Sequence, residues 1–130
     1  MEASAANEVA LPLSGARLIV VEDDFLILME LESALTDAGA KIVGSCRTLD
    51  AAMSLVEADG LAAAILDIRL GRDTVEPAAR RLAERGIPFI FYTGQSETDA
   101  VRMMWPRSAL LHKPANPKKI VAAISELLHA

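Results

Sequence analysis

One cysteine, Cys46, stands alone in 130 residues. No disulfide framework can form within the chain, and a cysteine-based metal site is excluded. Long apolar runs are missing too. The longest, Leu61 to Leu66, holds six residues, far short of the roughly 20 that a bilayer-spanning helix needs. The opening residues, MEASAANEVALPLSG, carry neither a basic cluster nor a long apolar stretch. That pattern speaks against a secretory signal and for the cytoplasm, with no membrane insertion. Positive charge is scarce: 13 Lys and Arg against 18 Asp and Glu give a net charge of −5, which argues against a nucleic-acid surface. No internal repeat of solenoid length is present.

What the chain does have is 52% hydrophobic residues, enough for a core, in a length that suits one domain. Residues 1–15 read as a flexible N-terminal tail of small residues with nothing to pack, and residues 16–130 as the folded domain. Arg17–Glu22 reads as a strand whose Leu18-Ile19-Val20-Val21 run is continuously apolar, as expected of a strand covered on both faces. Asp24–Ala38 reads as a helix closed by Gly39, with Leu28, Leu31 and Leu35 on one face. Lys41–Cys46 is a second strand. Thr48 caps a helix reaching Asp59, with Met53 and Val56 turned inward. Leu61–Ile68 forms a third strand. A loop, RLGRDTVE, leads to Pro77 in the first turn of a helix ending near Arg85. Ile87–Thr93 is a fourth strand. Ser96 and Asp99 form a capping box for a short helix, whose Met103, Met104 and Trp105 read as a partly exposed patch. Ala109–His112 is a fifth strand, and Asn116 with Pro117 opens the last helix. Strands alternating with helices of this length predict an α/β fold: an open, doubly wound, five-stranded parallel sheet.

In such a sheet, ligands bind beyond the carboxyl ends of the strands. Polar groups gather there: Glu22, Asp23 and Asp24 after the first strand, Asp67 at the end of the third, Thr93 on the fourth and Lys113 after the fifth. Three consecutive acids closing an apolar strand repel one another, and a hard divalent cation such as Mg²⁺ offsets that repulsion by taking carboxylate oxygens. An Asp left at the centre can act as a nucleophile toward phosphorus, with a Lys and a Thr hydroxyl on the phosphoryl oxygens. Asp24 fits a helix cap as well. Arg80, Arg81 and Arg85 read as a solvated helix face, and His112 and His129 as surface residues.

The motifs VVEDD (Val20–Asp24), LDIRLG (Leu66–Gly71), FYTG (Phe91–Gly94) and HKP (His112–Pro114) occur in order, each at a strand end. Together they resemble the receiver domains of bacterial two-component response regulators, over roughly Ala16 to the C-terminus. The resemblance extends to alphaproteobacterial stand-alone single-domain receivers. It implies a flavodoxin-like (βα)5 fold with strand order 2-1-3-4-5. It also implies that Asp67 accepts a phosphoryl group from a sensor histidine kinase, and that Thr93 and Lys113 hold that group. Glu22, Asp23, Asp67 and the backbone carbonyl of Arg69 would bind Mg²⁺, and the Lys113–Pro114 bond would be cis. Output would pass by protein contact to a downstream partner or by phosphorelay, from a monomer or weak dimer, with no enzymatic turnover beyond self-phosphotransfer and slow autodephosphorylation.

Two departures from the resembling sequences stand out. Tyr92 and Gln95 replace residues of a Phe-Ala-Thr-Gly-Tyr-like motif. Leu110 occupies the place, three residues before Lys113, of an aromatic that turns inward on activation. A leucine there is expected to stay buried, which moves the expected switch to residues 94–107. The alternatives are a haloacid-dehalogenase-like phosphatase and a receiver-like module that works without phosphorylation. The first wants an acid two residues after the nucleophile, where this chain has Arg69. The intact Asp, Thr and Lys set speaks against the second.

Overall fold

A strand with no polar residue has no face to give to water, so both faces must be covered. In the computed structural model, which describes residues 11–94 and 100–129, five strands form one sheet. They are β1 (Arg17–Val21), β2 (Lys41–Cys46), β3 (Ala63–Leu66), β4 (Phe89–Thr93) and β5 (Ala109–His112). All pair in parallel, in the order β2-β1-β3-β4-β5. Around them lie α1 (Phe25–Asp37), α2 (Leu49–Leu55), α3 (Glu76–Glu84), α4 (Ala100–Met104) and α5 (Pro117–Leu128). The open doubly wound sheet and its strand order are those expected from the sequence.

Side chains alternate across each strand. Leu18, Val20, Ile65 and Ile90 pack on α1 and α5, against Leu28, Leu31, Leu35, Ile120 and Ile124. Ile19, Val21, Leu66, Phe89 and Phe91 face the other way, onto Ala52, Val56, Ala78, Leu82 and Val101. Burying each large aliphatic side chain contributes roughly 1.5–3 kcal/mol. The anticipated caps are in place. Asp24, Thr48 and Asn116 accept from the backbone N–H of Ile27, Ala51 and Lys119 at 3.1, 3.2 and 2.9 Å.

The structure corrects several expectations. Residues 11–15 are not a tail without packing. Leu13 is 1% exposed within the α1/α5 core, and its N–H donates to the Ala38 carbonyl at 2.9 Å. Residues 1–10 lie outside the described residues, as does the Ser96–Asp99 capping box. The helix after Thr48 ends at Leu55, not Asp59. Arg85 does not belong to a solvated face. Its guanidinium donates to the carbonyls of Val56 and Ala58 at 2.6 and 3.0 Å, closing the end of α2. Met53 is exposed; Val56 faces the core as expected, and Ala52 takes the inward place expected of Met53. β3 begins at Ala63, two residues later than Leu61. The RLGRDTVE loop contains a short hairpin, Arg69–Leu70 against Asp73–Thr74, which Gly71 turns with φ +65°.

Candidate functional site

Strand register decides which side chains meet. β1 and β3 pair Val21 with Leu66, so the next residues, Glu22 and Asp67, emerge side by side. The Asp67 N–H donates to the Val21 carbonyl at 2.9 Å and fixes that level. β4 and β5 pair Thr93 with His112, and the Lys113 N–H donates to the Thr93 carbonyl at 3.0 Å. The carboxyl edge of the sheet thus gathers Glu22, Asp67 and Lys113 at one level, with Thr93 fully buried at the end of β4.

Lys113 is the centre of this group. Its Nζ donates to Asp67 Oδ2 at 2.8 Å and lies 2.7 Å from Glu22 Oε1. The second contact is an ion pair without hydrogen-bond alignment, so the buried Glu22 Oε1 accepts no hydrogen bond. Glu22 Oε2 accepts from the Asp24 N–H at 3.0 Å, and Asp23 Oδ2 from the Gly71 N–H at 3.1 Å. The Lys113–Pro114 peptide is cis, as the resemblance implied.

Two adjacent acids are shifted in opposite directions. Burial pushes the Glu22 carboxyl up from its ordinary 4.5 to about 7, against the pull of Lys113 and the Asp24 N–H. Asp23 also meets a burial penalty, but the Gly71 N–H, Glu22 and Lys113 outweigh it and hold its carboxyl below the ordinary range. For Lys113, burial works against the charge, and the hydrogen bond to Asp67 with the attraction of the Asp67 and Glu22 carboxylates overcomes it, leaving the ammonium more basic than usual.

Oxygens of Glu22, Asp23 and Asp67 all lie within 4.8 Å of one another. An all-oxygen, all-carboxylate set with one ammonium among three acids suits a hard divalent cation. The donor set therefore fits Mg²⁺. Arg69 stands two residues past Asp67, at the start of the hairpin with its side chain exposed. No acid occupies that position. Asp24 turns to its cap.

Some neighbours have no role assigned from the sequence, where Arg47 stands after the second strand with no evident chemical group. Arg47, at the end of β2, donates from Nε to the Asp23 carbonyl at 3.1 Å and lies over the Phe25 ring at 5.6 Å. Its place directly after a strand was the available signal. The Gly71 N–H had none, being a backbone group. Phe25, Leu26 and Met29, 53%, 71% and 50% exposed, form an apolar rim beside the acids. Leu110 is half-buried rather than enclosed. Met103 and Met104 are exposed, whereas Trp105 is half-buried, edge-on to Phe89 at 5.8 Å and tilted against Phe91 at 6.4 Å. His112 and His129 are exposed.

The sequence profile of the Response regulator receiver domain matches residues 18–125. A curated relative, the phyllosphere-induced regulator PhyR of Methylorubrum extorquens, is 26% identical over 127 residues, covering 95% of this chain and 47% of the relative. The chain therefore spans about half the length of that protein. The solution structure of SdrG from Sphingomonas melonis Fr1 is 37% identical with a TM-score of 0.76, covering 88% of this chain and 97% of that one. The response regulator PhyR from Brucella abortus is 29% identical with a TM-score of 0.74, covering 98% of this chain and 53% of that one.

Proposed function

Because this chain belongs to the response regulator receiver domain family, we propose that it is a phospho-acceptor switch in which Asp67 takes a phosphoryl group from the phosphohistidine of a sensor kinase. The observation that carries this reading is the Lys113 ammonium 2.8 Å from Asp67, beside two further carboxylates at the carboxyl edge of the sheet. An Asp67 oxygen attacks phosphorus. The P–N bond to the donor imidazole breaks, and its electron pair returns to nitrogen, which takes up a proton. Lys113 then exchanges its carboxylate contact for the phosphoryl oxygens, and the Thr93 hydroxyl binds another of them. Glu22, Asp23 and Asp67, with the Arg69 carbonyl, would hold Mg²⁺. The bound cation supplies charge neutralisation for the incoming phosphoryl oxygens. The apolar rim of Phe25, Leu26 and Met29 gives the kinase a surface to contact. Output passes by protein contact or onward phosphate transfer, without turnover of a small substrate.

Intact mass after acetyl phosphate treatment with Mg²⁺ tests the acceptor. A single phosphoryl adduct on the wild type, absent from Asp67→Asn, is the expected result. An adduct that persists in the Asp67→Asn variant places the acceptor elsewhere.

A further inference from the structure

We propose that Tyr92 is a positioning residue for Lys113: its hydroxyl anchors the backbone just beyond the lysine, and its ring lies beside the ammonium. Its catalytic consequence rests on the phospho-acceptor reading above; its geometry stands apart from it.

Tyr92 sits one residue before Thr93 on β4 and is 4% exposed, packed on the α1/α5 side of the sheet. Its hydroxyl accepts from the Ala115 N–H at 3.0 Å. Its ring centroid is 5.8 Å from Lys113 Nζ, within the range where a ring face attracts a cation. The Lys113 N–H donates to the carbonyl of the next residue on β4, Thr93. Two consecutive β4 residues therefore hold the chain at Lys113 and two residues after it. The lysine side chain is a flexible four-carbon stem and loses aim when its backbone shifts.

Ala115 packs against the α1/α5 core on one side only. Tyr92, Pro114 and Ala115 all border a cavity of about 410 Å³ between α1 and α5, with Ile27, Leu31 and Ile120 on its walls. The hydroxyl bond ties the backbone after Lys113 to β4 at the edge of that space. An alanine, the residue of the resembling motif, could supply neither the bond nor the ring. A tyrosine serving only as core filler would be replaceable by phenylalanine without effect on Lys113.

The test compares the full chain with Tyr92→Phe, which keeps ring and burial, and Tyr92→Leu, which removes the ring. Three readouts are taken: amide exchange at Ala115, the proton shifts of the Lys113 ε-methylene, and the maximal rate of Asp67 phosphorylation by acetyl phosphate at saturating Mg²⁺. Tyr92→Phe should speed Ala115 exchange by about tenfold, as expected for one lost hydrogen bond. It should slow the maximal phosphorylation rate by about tenfold through misplacement of Lys113, with half-saturating Mg²⁺ unchanged. Tyr92→Leu should in addition abolish the ring-current shift on Lys113. Unchanged Ala115 exchange in Tyr92→Phe overturns the anchor. Faster exchange with a wild-type phosphorylation rate overturns the positioning role and leaves a structural bond only. If the wild type itself takes no phosphoryl group at Asp67, the functional reading fails, while the Ala115 and Lys113 signals still decide the anchor.

Discussion

Replacing Glu22 by glutamine should stabilise this protein in the absence of divalent cations, although it removes a charged partner of Lys113. The Glu22 carboxyl is fully buried and raised from 4.5 to about 7. A group with a raised folded pKa binds its proton more tightly when folded. Its contribution to stability is therefore complete below 4.5 and is lost as pH rises through 7. A shift of this size amounts to about 3 kcal/mol lost across the window. The attraction of Lys113 is already counted in it, because that attraction lowers the same pKa. Two neighbours titrate outside the window: Asp23 lies below its usual 3.8 and Lys113 above its usual 10.5. The glutamine side chain mimics the protonated acid at every pH. Stability of the Glu22→Gln variant should stay flat from pH 4.5 to 7 and exceed wild type at pH 7.5 by up to about 3 kcal/mol, roughly 10 °C in melting temperature. Under the proposed reading Mg²⁺ should stabilise the wild type by mass action and the variant less, so the two melting temperatures should converge. Thermal melts between pH 4.5 and 8, in chelator and in millimolar MgCl₂, read all of this. A Glu22→Gln variant less stable than wild type at pH 7.5 in chelator would show that the Lys113 attraction outweighs burial. A variant as pH-dependent as wild type would assign the window to another group.

Three further outcomes are expected. Leu13→Ala should destabilise the protein by about 2–3 kcal/mol in urea unfolding, since Leu13 is 1% exposed in the core; a change under about 0.5 kcal/mol would return residues 11–15 to the status of a tail. Beryllofluoride binding should change Trp105 fluorescence and amide protection in residues 100–107, because that tryptophan joins α4 to Phe89 and Phe91 on the strand that ends at Thr93; Leu110→Tyr should leave acetyl phosphate phosphorylation intact, and protection changes confined to other loops would move the switch away from this segment.

The sheet was legible because strands covered on both faces read as unbroken apolar runs, and Ile19, Val21, Ile65 and Leu66 sit in such runs. The acids were legible because chemistry collects at strand ends. Leu13 was not. A single leucine among small residues has no periodicity, and its burial depends on a distant turn. Gly39 adopts φ +99°, and a Cβ there would lie 2.9 Å from both Leu11 Cβ and the Ser14 backbone. Only glycine lets the entering chain cross the end of α1 so closely. Arg85 hid for a similar reason: its partners are carbonyls 29 and 27 residues away, which composition cannot signal.

The division of labour between Glu22 and Asp23 lay furthest from view, because in sequence they are two equivalent acids. The fold sends them into different surroundings. Glu22 follows β1 into the sheet edge, is sealed from water, and meets Lys113 without an aligned hydrogen bond. Asp23 points to the half-open rim, where the hairpin N–H of Gly71 receives it. Neutralising Asp23 therefore removes a carboxylate that its surroundings already favour in the charged form, whereas neutralising Glu22 relieves one they disfavour. The burial cost among the three acids thus falls most on Glu22, and a bound cation would relieve most of it there. Under the proposed reading, Asp23, held at the rim by the Gly71 N–H with its carboxyl below the ordinary range, would be the first acid to meet an incoming ion.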